Sequence, residues 1–436
     1  MFDELLTIDE LEANTRRLMG DVRVAITPLG VSRLGRPIEM VSLGDGARDA
    51  LIVGVPHPNE PVGAVTVERM ISLLLRDQTQ RRGYRWHFIK AIDPEGLKLN
   101  QGWLKTRTLA GYFENFFRPA LHRQGETTFP IDTSDVHFDA SMPENIAWQR
   151  AFELTRPALH ASLHHCDYGG VFYSLSRALP GAIDGLESVA SRSGLGVNDM
   201  NDGVMDAEQW SPAVKRYPSV PELIVNAKAS GAAWAYPWTV GEMSPGFGEA
   251  HFGTFTLIAE APLWDSASLH DPAASGVTRR EQQAQLRRIA STARDIAVRH
   301  VEKLAKDAST PDAKECLWAL ERGLQMMPAS QPLSVEAMPS DDAMLSKHEF
   351  ELVHTEQALF VLRTYGLIVR LANLILDGDP TNSRALHARA EAQNALRHEL
   401  SVIEARTQFV PNPLSVVTDF QMQSIFVCAD ALTNVA

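Results

Sequence analysis

The run Ala50-Leu51-Ile52-Val53-Gly54-Val55 constrains this chain more than any other stretch. It stops abruptly at Pro56-His57-Pro58-Asn59-Glu60-Pro61, and a helical pattern follows at once. An unbroken apolar run bounded this way reads as a strand buried on both faces, whereas a half-exposed strand would alternate apolar with polar. Proline is well placed in the first turn of a helix, so Pro61 to Leu75 reads as a helix packed on the sheet. Strand, loop and helix together commit this half to an α/β layer structure and leave His57 and Glu60 in the loop.

Further strands are expected at Ile38 to Leu43, Trp86 to Ile92, Ala161 to His164 and Phe255 to Glu260, alternating with helical patterns up to about Asp265. From Thr278 the character changes. Leu286, Ile289, Ala293, Ala297, Val301 and Leu304 form an apolar stripe at steps of three and four. His348 to Leu376 and Ser383 to Arg406 read as further helices, punctuated by Asp377-Gly378-Asp379-Pro380 and Pro411-Asn412-Pro413. Asp307 to Asp342 is rich in Pro, Ser and Asp and is expected to form connections between helices. The fold class is therefore α/β, a mixed sheet between helices, followed by an all-α C-terminal domain. The expected division is 1–270 for the α/β part and 278–436 for the helical part, with the boundary near 265 to 278.

Composition narrows the function classes. The 41 basic residues against 54 acidic ones give a net charge of −13, which disfavours binding to a phosphate backbone, so no nucleic-acid partner is expected. Met1 to Glu10 carries Asp3, Glu4, Asp9 and Glu10 and lacks the basic flank and apolar run of a signal peptide. Apolar stretches such as Ala358 to Leu362 fall short of the roughly 18 to 20 residues of a membrane span, so no membrane partner is expected. The 3 cysteines, Cys166, Cys316 and Cys428, contain no CxxC pair and point to reduced thiols in the cytoplasm.

The chemistry lies at strand ends. A single His-x-x-Glu arises by chance about once in a chain this long. Three separate strand ends, however, offer His57 with Glu60, a histidine of the pair His164-His165, and Glu260. In open α/β sheets ligands bind beyond the carboxyl ends of the strands. Catalytic zinc takes three protein ligands and leaves a position for water, with an unligated carboxylate as base. Strand alternation turns His164 and His165 to opposite sides, so they compete for one role. A Glu260 buried without a partner would be costly, and a neighbouring cation accounts for it better. Cys166 is expected to be a small buried residue, not a nucleophile.

In order and spacing these elements resemble metallocarboxypeptidases of the carboxypeptidase A type, over the chain up to about Asp265. Gly35-Arg36-Pro37-Ile38 resembles that family's entry to a strand, His57-Pro58-Asn59-Glu60 its metal pair, and Ile92-Asp93-Pro94-Glu95-Gly96 its turn. Ser162-Leu163-His164 resembles its third ligand and Phe255 to Glu260 the strand ending in its catalytic glutamate. The resemblance implies one Zn²⁺ per chain held by His57, Glu60 and His164, with Glu260 as general base. The implied reaction is amide hydrolysis of short peptides or a C-terminal amino-acid conjugate.

Substrate recognition departs from that family. Trp103-Leu104-Lys105-Thr106-Arg107 lacks the arginine expected after tryptophan, which leaves Arg107 and Arg118 as substitutes at the oxyanion. Asn115-Phe116-Phe117-Arg118 stands for the pair that grips a terminal carboxylate. No tyrosine precedes Ala229-Ser230-Gly231, and Tyr236 is the available replacement. A second expectation is deacylation of small N-acyl amino acids, as in the aspartoacylase and succinylglutamate desuccinylase branch, which shares the His-x-x-Glu and a distant His. A third is a catalytically silent scaffold working through its helical half, which is in any case expected to cap the site or build a homo-oligomer.

Overall fold

The structure is a computed structural model that describes residues 3–134, 136–199, 208–229, 240–326 and 341–435. Tyr236 lies outside them. The main sheet among the described residues is built from β1 (Val24–Val31), β2 (Pro37–Leu43), β3 (Arg48–Gly54), β4 (Tyr84–Ile89), β5 (Leu159–Leu163), β6 (Phe172–Leu175), β7 (Gln209–Ser211), β8 (Val214–Arg216) and β9 (Phe255–Glu260), in the order β1-β2-β4-β3-β5-β9-β6-β8-β7. The central strands β4, β3, β5 and β9 run parallel, while β1, β2, β6 and β7 introduce antiparallel pairings. The sheet is mixed, as expected.

Burial explains the apolar runs. Along β3, Ala50 and Ile52 join one core and Leu51 and Val53 the other, all of them fully buried. Helices α1 (Val62–Arg76), α2 (Leu109–Glu114), α3 (Pro143–Thr155) and α4 (Ala182–Ser193) follow in the first part, with α3 packed on β1 and β3. The second part contains α5 (Arg279–Ala305), α6 (Pro311–Met326), α7 (Glu356–Gly378), α8 (Ser383–Arg406) and α9 (Leu414–Val435). Helix α6 falls inside the stretch expected to hold only connections. Its Ala313, Cys316, Leu317 and Leu320 are buried, and their spacing of three and four was hidden among the polar residues around them.

Beyond Thr278 the described chain is mostly helical, but the core does not stop there. Helix α9 returns to the sheet and packs against α1, α4, β5 and β9, with Val417, Phe420 and Ile425 in the same apolar cluster as Ile52 and Leu257. Helix α7 packs against α2, α5, α6 and α8. It is preceded by a π-helical turn, Glu351–Thr355. The continuous helical stretch Lys347–Gly378 has a window of mean hydropathy 1.7, long and apolar enough to cross a membrane, and 72% of that window is buried inside the molecule. This corrects the sequence estimate of the longest apolar segment, and the burial is that of a core helix.

Gly366 marks where α7 meets α2. A Cβ there would fall on the Phe113 carbonyl oxygen, so the glycine permits backbone contact between the two halves. In an exposed helix Gly→Ala gains about 1 kcal/mol. Here Gly366→Ala is expected to destabilise by about 1–3 kcal/mol through overpacking, seen as a lower urea midpoint. A raised midpoint would show that α7 is free to shift off α2.

Candidate metal centre and active-site cavity

The parallel order β3-β5-β9 sets three carboxyl ends side by side. Register pairs Gly54 with Leu163 and Ala259 with Leu163, so the residues just beyond them, Val55, His164 and Glu260, emerge together. Val55 has φ 56°, a left-handed conformation that costs a β-branched residue about 1–3 kcal/mol, and it turns the chain into the His57 loop. Close approach of α1 delivers Glu60. A Cβ on Gly63 would lie 2.7 Å from the Leu163 carbonyl oxygen, and one on Gly54 2.6 Å from that of Lys90.

His57, Glu60 and His164 converge there, all buried. His57 Nδ1 lies 3.1 Å from each Glu60 carboxylate oxygen and His164 Nδ1 3.0 Å from Oε2. The two imidazoles meet edge to face at 4.7 Å, and one ligand atom from each of the three residues lies within 4.8 Å of the others. Glu260 Oε1 is 3.7 Å from His164 Nδ1. Two imidazoles and a carboxylate are a donor set for zinc. Bonds of about 2.0–2.1 Å in a tetrahedron separate ligands by roughly 3.3 Å, close to the 3.1 and 3.0 Å that separate Glu60 from the two histidine nitrogens. The residues fit the ion.

Electrostatics favour a cation. Burial draws His57 down to about 3. Burial also opposes charge on His164, but the hydrogen bond to Glu60 and the charges of Glu260, Glu60 and Glu126 outweigh it and raise His164 to about 9. Burial lifts Glu260 to about 7, with Glu60 adding to the rise and His164, Arg118 and Arg363 opposing it.

Outer contacts fix the ligands. His164 Nε2 lies 3.0 Å from Ser162 Oγ, and Ser162 Oγ donates to Glu126 Oε2 at 3.3 Å. Glu126 also accepts from the Ser244 amide and hydroxyl. With Nε2–H directed at Ser162, Nδ1 is the nitrogen on the Glu60 side, and a metal there would take the place of the proton it shares with Glu60. Gln421 of α9 donates to the carbonyls of His164 and Ala259 at 2.7 and 3.4 Å and accepts from Thr66 of α1 at 2.6 Å. One buried amide thus ties together β5, β9 and α1.

Beside this cluster is a cavity of about 190 Å³ lined by Glu60, Arg118, His165, Asp167, Glu260 and Arg363, with Phe172, Glu356 and Phe360 also on its walls. Arg118 is brought in, donating to Glu60 Oε1 at 2.9 Å. Asn115 and Arg107 are not on its lining. Asn115 closes the C-terminal end of α2 by donating to the Gly111 carbonyl at 3.0 Å. Arg107 donates to the Asn412 carbonyl at 2.5 Å. Each of the two stretches carries a single arginine, and nothing in the local sequence tells which of Arg107 and Arg118 faces the cavity. Asp167 and Arg363 had no motif to mark them, although an arginine amid the apolar positions of α7 is a weak signal. His165 is buried with neither ring nitrogen hydrogen-bonded, and burial lowers it to about 4, so a neutral imidazole faces the cavity. Cys166 is also on the lining, but burial and the surrounding carboxylates hold its thiol well above the usual range, a setting for an inert thiol.

No protein-family profile matches the sequence, and no curated protein matches it. Among solved structures the chain is similar to a provisionally assigned metallopeptidase from Shewanella amazonensis, at 12% identity over 58% of this chain and 84% of that one, TM-score 0.41. A metallo-carboxypeptidase from Burkholderia cenocepacia matches at 15% identity over 58% of this chain and 59% of that one, TM-score 0.35. Carboxypeptidase A from Helicoverpa armigera matches at 13% identity over 60% and 66%, TM-score 0.38. What the site can do follows from its own donor set.

Proposed function

We propose that this chain is a zinc-dependent amide hydrolase of the carboxypeptidase A type, acting on short peptides or a C-terminal amino-acid conjugate. The observation that carries the proposal is the delivery of His57 with Glu60, His164 and Glu260 from the ends of adjacent parallel strands into one buried cluster beside a cavity. When bound, the zinc polarises the substrate carbonyl and acidifies a water. Glu260 Oε1 accepts the proton given up by the attacking water and returns it to the leaving nitrogen. Arg118, held on Glu60 at the cavity wall, supplies a cation for the developing oxyanion. Phe172 lies on the cavity wall, and Glu356, Phe360 and Arg363 of α7 form another side of it, where a substrate would rest. The thiols of Cys166, Cys316 and Cys428 are unpaired, which supports a cytoplasmic setting.

The small cavity and the placement of Asn115 and Arg107 away from it favour a second reading, deacylation of small N-acyl amino acids by the same centre. A panel of C-terminal peptides and N-acyl amino acids separates the two. The shared claim is tested by elemental analysis after exhaustive dialysis. Wild type is expected to keep one zinc that His57→Ala loses, with amide hydrolysis falling in parallel. Equal zinc content in the two proteins would remove His57 from the ligand set.

A further inference from the structure

Helices α5 and α8 pack antiparallel and are joined by a ladder of charged rungs. Arg288 pairs with Glu399 at one end and Asp307 with Arg384 at the other. Each end rung is an arginine on a carboxylate and is complete in itself. The middle rung differs. His387 and Glu391 stand four residues apart on one face of α8, and His300 of α5 reaches across to them. His300 Nε2 is 2.6 Å from Glu391 Oε2, and His387 Nε2 is 3.9 Å from the same oxygen. The two rings lie edge to face at 5.4 Å. One ligand atom from each residue lies within 4.8 Å of the others.

We infer that His300, His387 and Glu391 form a second divalent-metal site, for a zinc-like transition ion, that staples α5 to α8. Imidazole suits zinc, nickel and copper, and two imidazoles with one carboxylate leave positions for water. The burial of its members is graded. His300 is almost wholly buried, Glu391 is half-buried, and His387 is 73% exposed, so two groups are preset by packing while the third opens to solvent as an entry. Arg299 holds the other Glu391 oxygen, Oε1, at 2.5 Å. That contact orients the carboxylate and leaves Oε2 for the ion, but its charge opposes a cation. The site is therefore weaker than the buried centre and fills when metal is supplied.

The inference is independent of the hydrolase reading. Its test is calorimetric titration of Zn²⁺ into dialysed full-length protein, comparing wild type with His387→Ala, a solvent-exposed substitution, and with Glu391→Gln. Wild type is expected to take up one more Zn²⁺ per chain than His387→Ala, and Glu391→Gln to bind that ion at least tenfold more weakly. Added Zn²⁺ is also expected to raise the urea midpoint of wild type more than that of His387→Ala. Equal uptake by wild type and His387→Ala would overturn the site and leave the cluster an ordinary ion-pair rung.

Discussion

Glu260→Gln is expected to lower kcat for amide hydrolysis by about 10²–10⁴-fold with dialysis-resistant zinc unchanged. The amide keeps the shape of the carboxylate and its place at the end of β9 but cannot accept a proton. Glu260 is close to His164, at 3.7 Å, yet lies outside the cluster that His57, Glu60 and His164 close among themselves. The substitution should therefore separate proton transfer from metal holding. Kinetics on the best substrate of the panel, with metal analysis on the same preparation, reads both. A kcat within a few-fold of wild type would dismiss Glu260 as base. Loss of zinc would instead make it a ligand.

What the sequence made legible here is governed by locality. His164 and Glu260 each terminate an apolar run, and His57 with Glu60 sits in the loop directly after one, so a run of Leu, Ile and Val that gives way to polar residues reports both the strand and its exit. Phe255 to Glu260 has the bounds expected of it, and β5 differs from its expected span by only a residue or two. The groups that were not legible act across long sequence separations. Glu126 reaches His164 through Ser162, Gln421 ties strand ends more than a hundred residues before it, and Arg363 meets Asp167 from the opposite half of the chain. Strands β1, β6, β7 and β8 were also missed: β1 lies at the sheet edge, half-exposed and interrupted by Pro28 and Gly30, and β6, β7 and β8 are only 4, 3 and 3 residues long, too short to show a period. Arg107 and Asn115 show the converse error. A residue type suited to carboxylate binding is just as well suited to closing a loop or ending a helix.

Arg363→Met is expected to be the most destabilising of these substitutions, by about 3–5 kcal/mol. Arg363 donates to Asp167 Oδ2 at 2.9 Å while Tyr112 donates to Oδ1 at 2.8 Å, and the guanidinium lies over Phe116 and Phe360 at 5.2 and 5.0 Å. Asp167 and Tyr112 are buried, so methionine would fill much of the space but leave a buried carboxylate with one neutral donor. Most of the loss is the cost of stranding that charge, not the worth of the pair. Asp167→Asn in the Arg363→Met background should therefore recover a large part of it. Urea unfolding of the two single variants and the double variant measures this coupling. Because the pair joins α7 to the loop after His164, substrate affinity should fall with stability, and a rise in KM without loss of zinc would place Arg363 in positioning the cavity wall. Additive losses in the double variant would mean that Asp167 finds another partner and that α7 is held over the site by Gly366 and its apolar face alone.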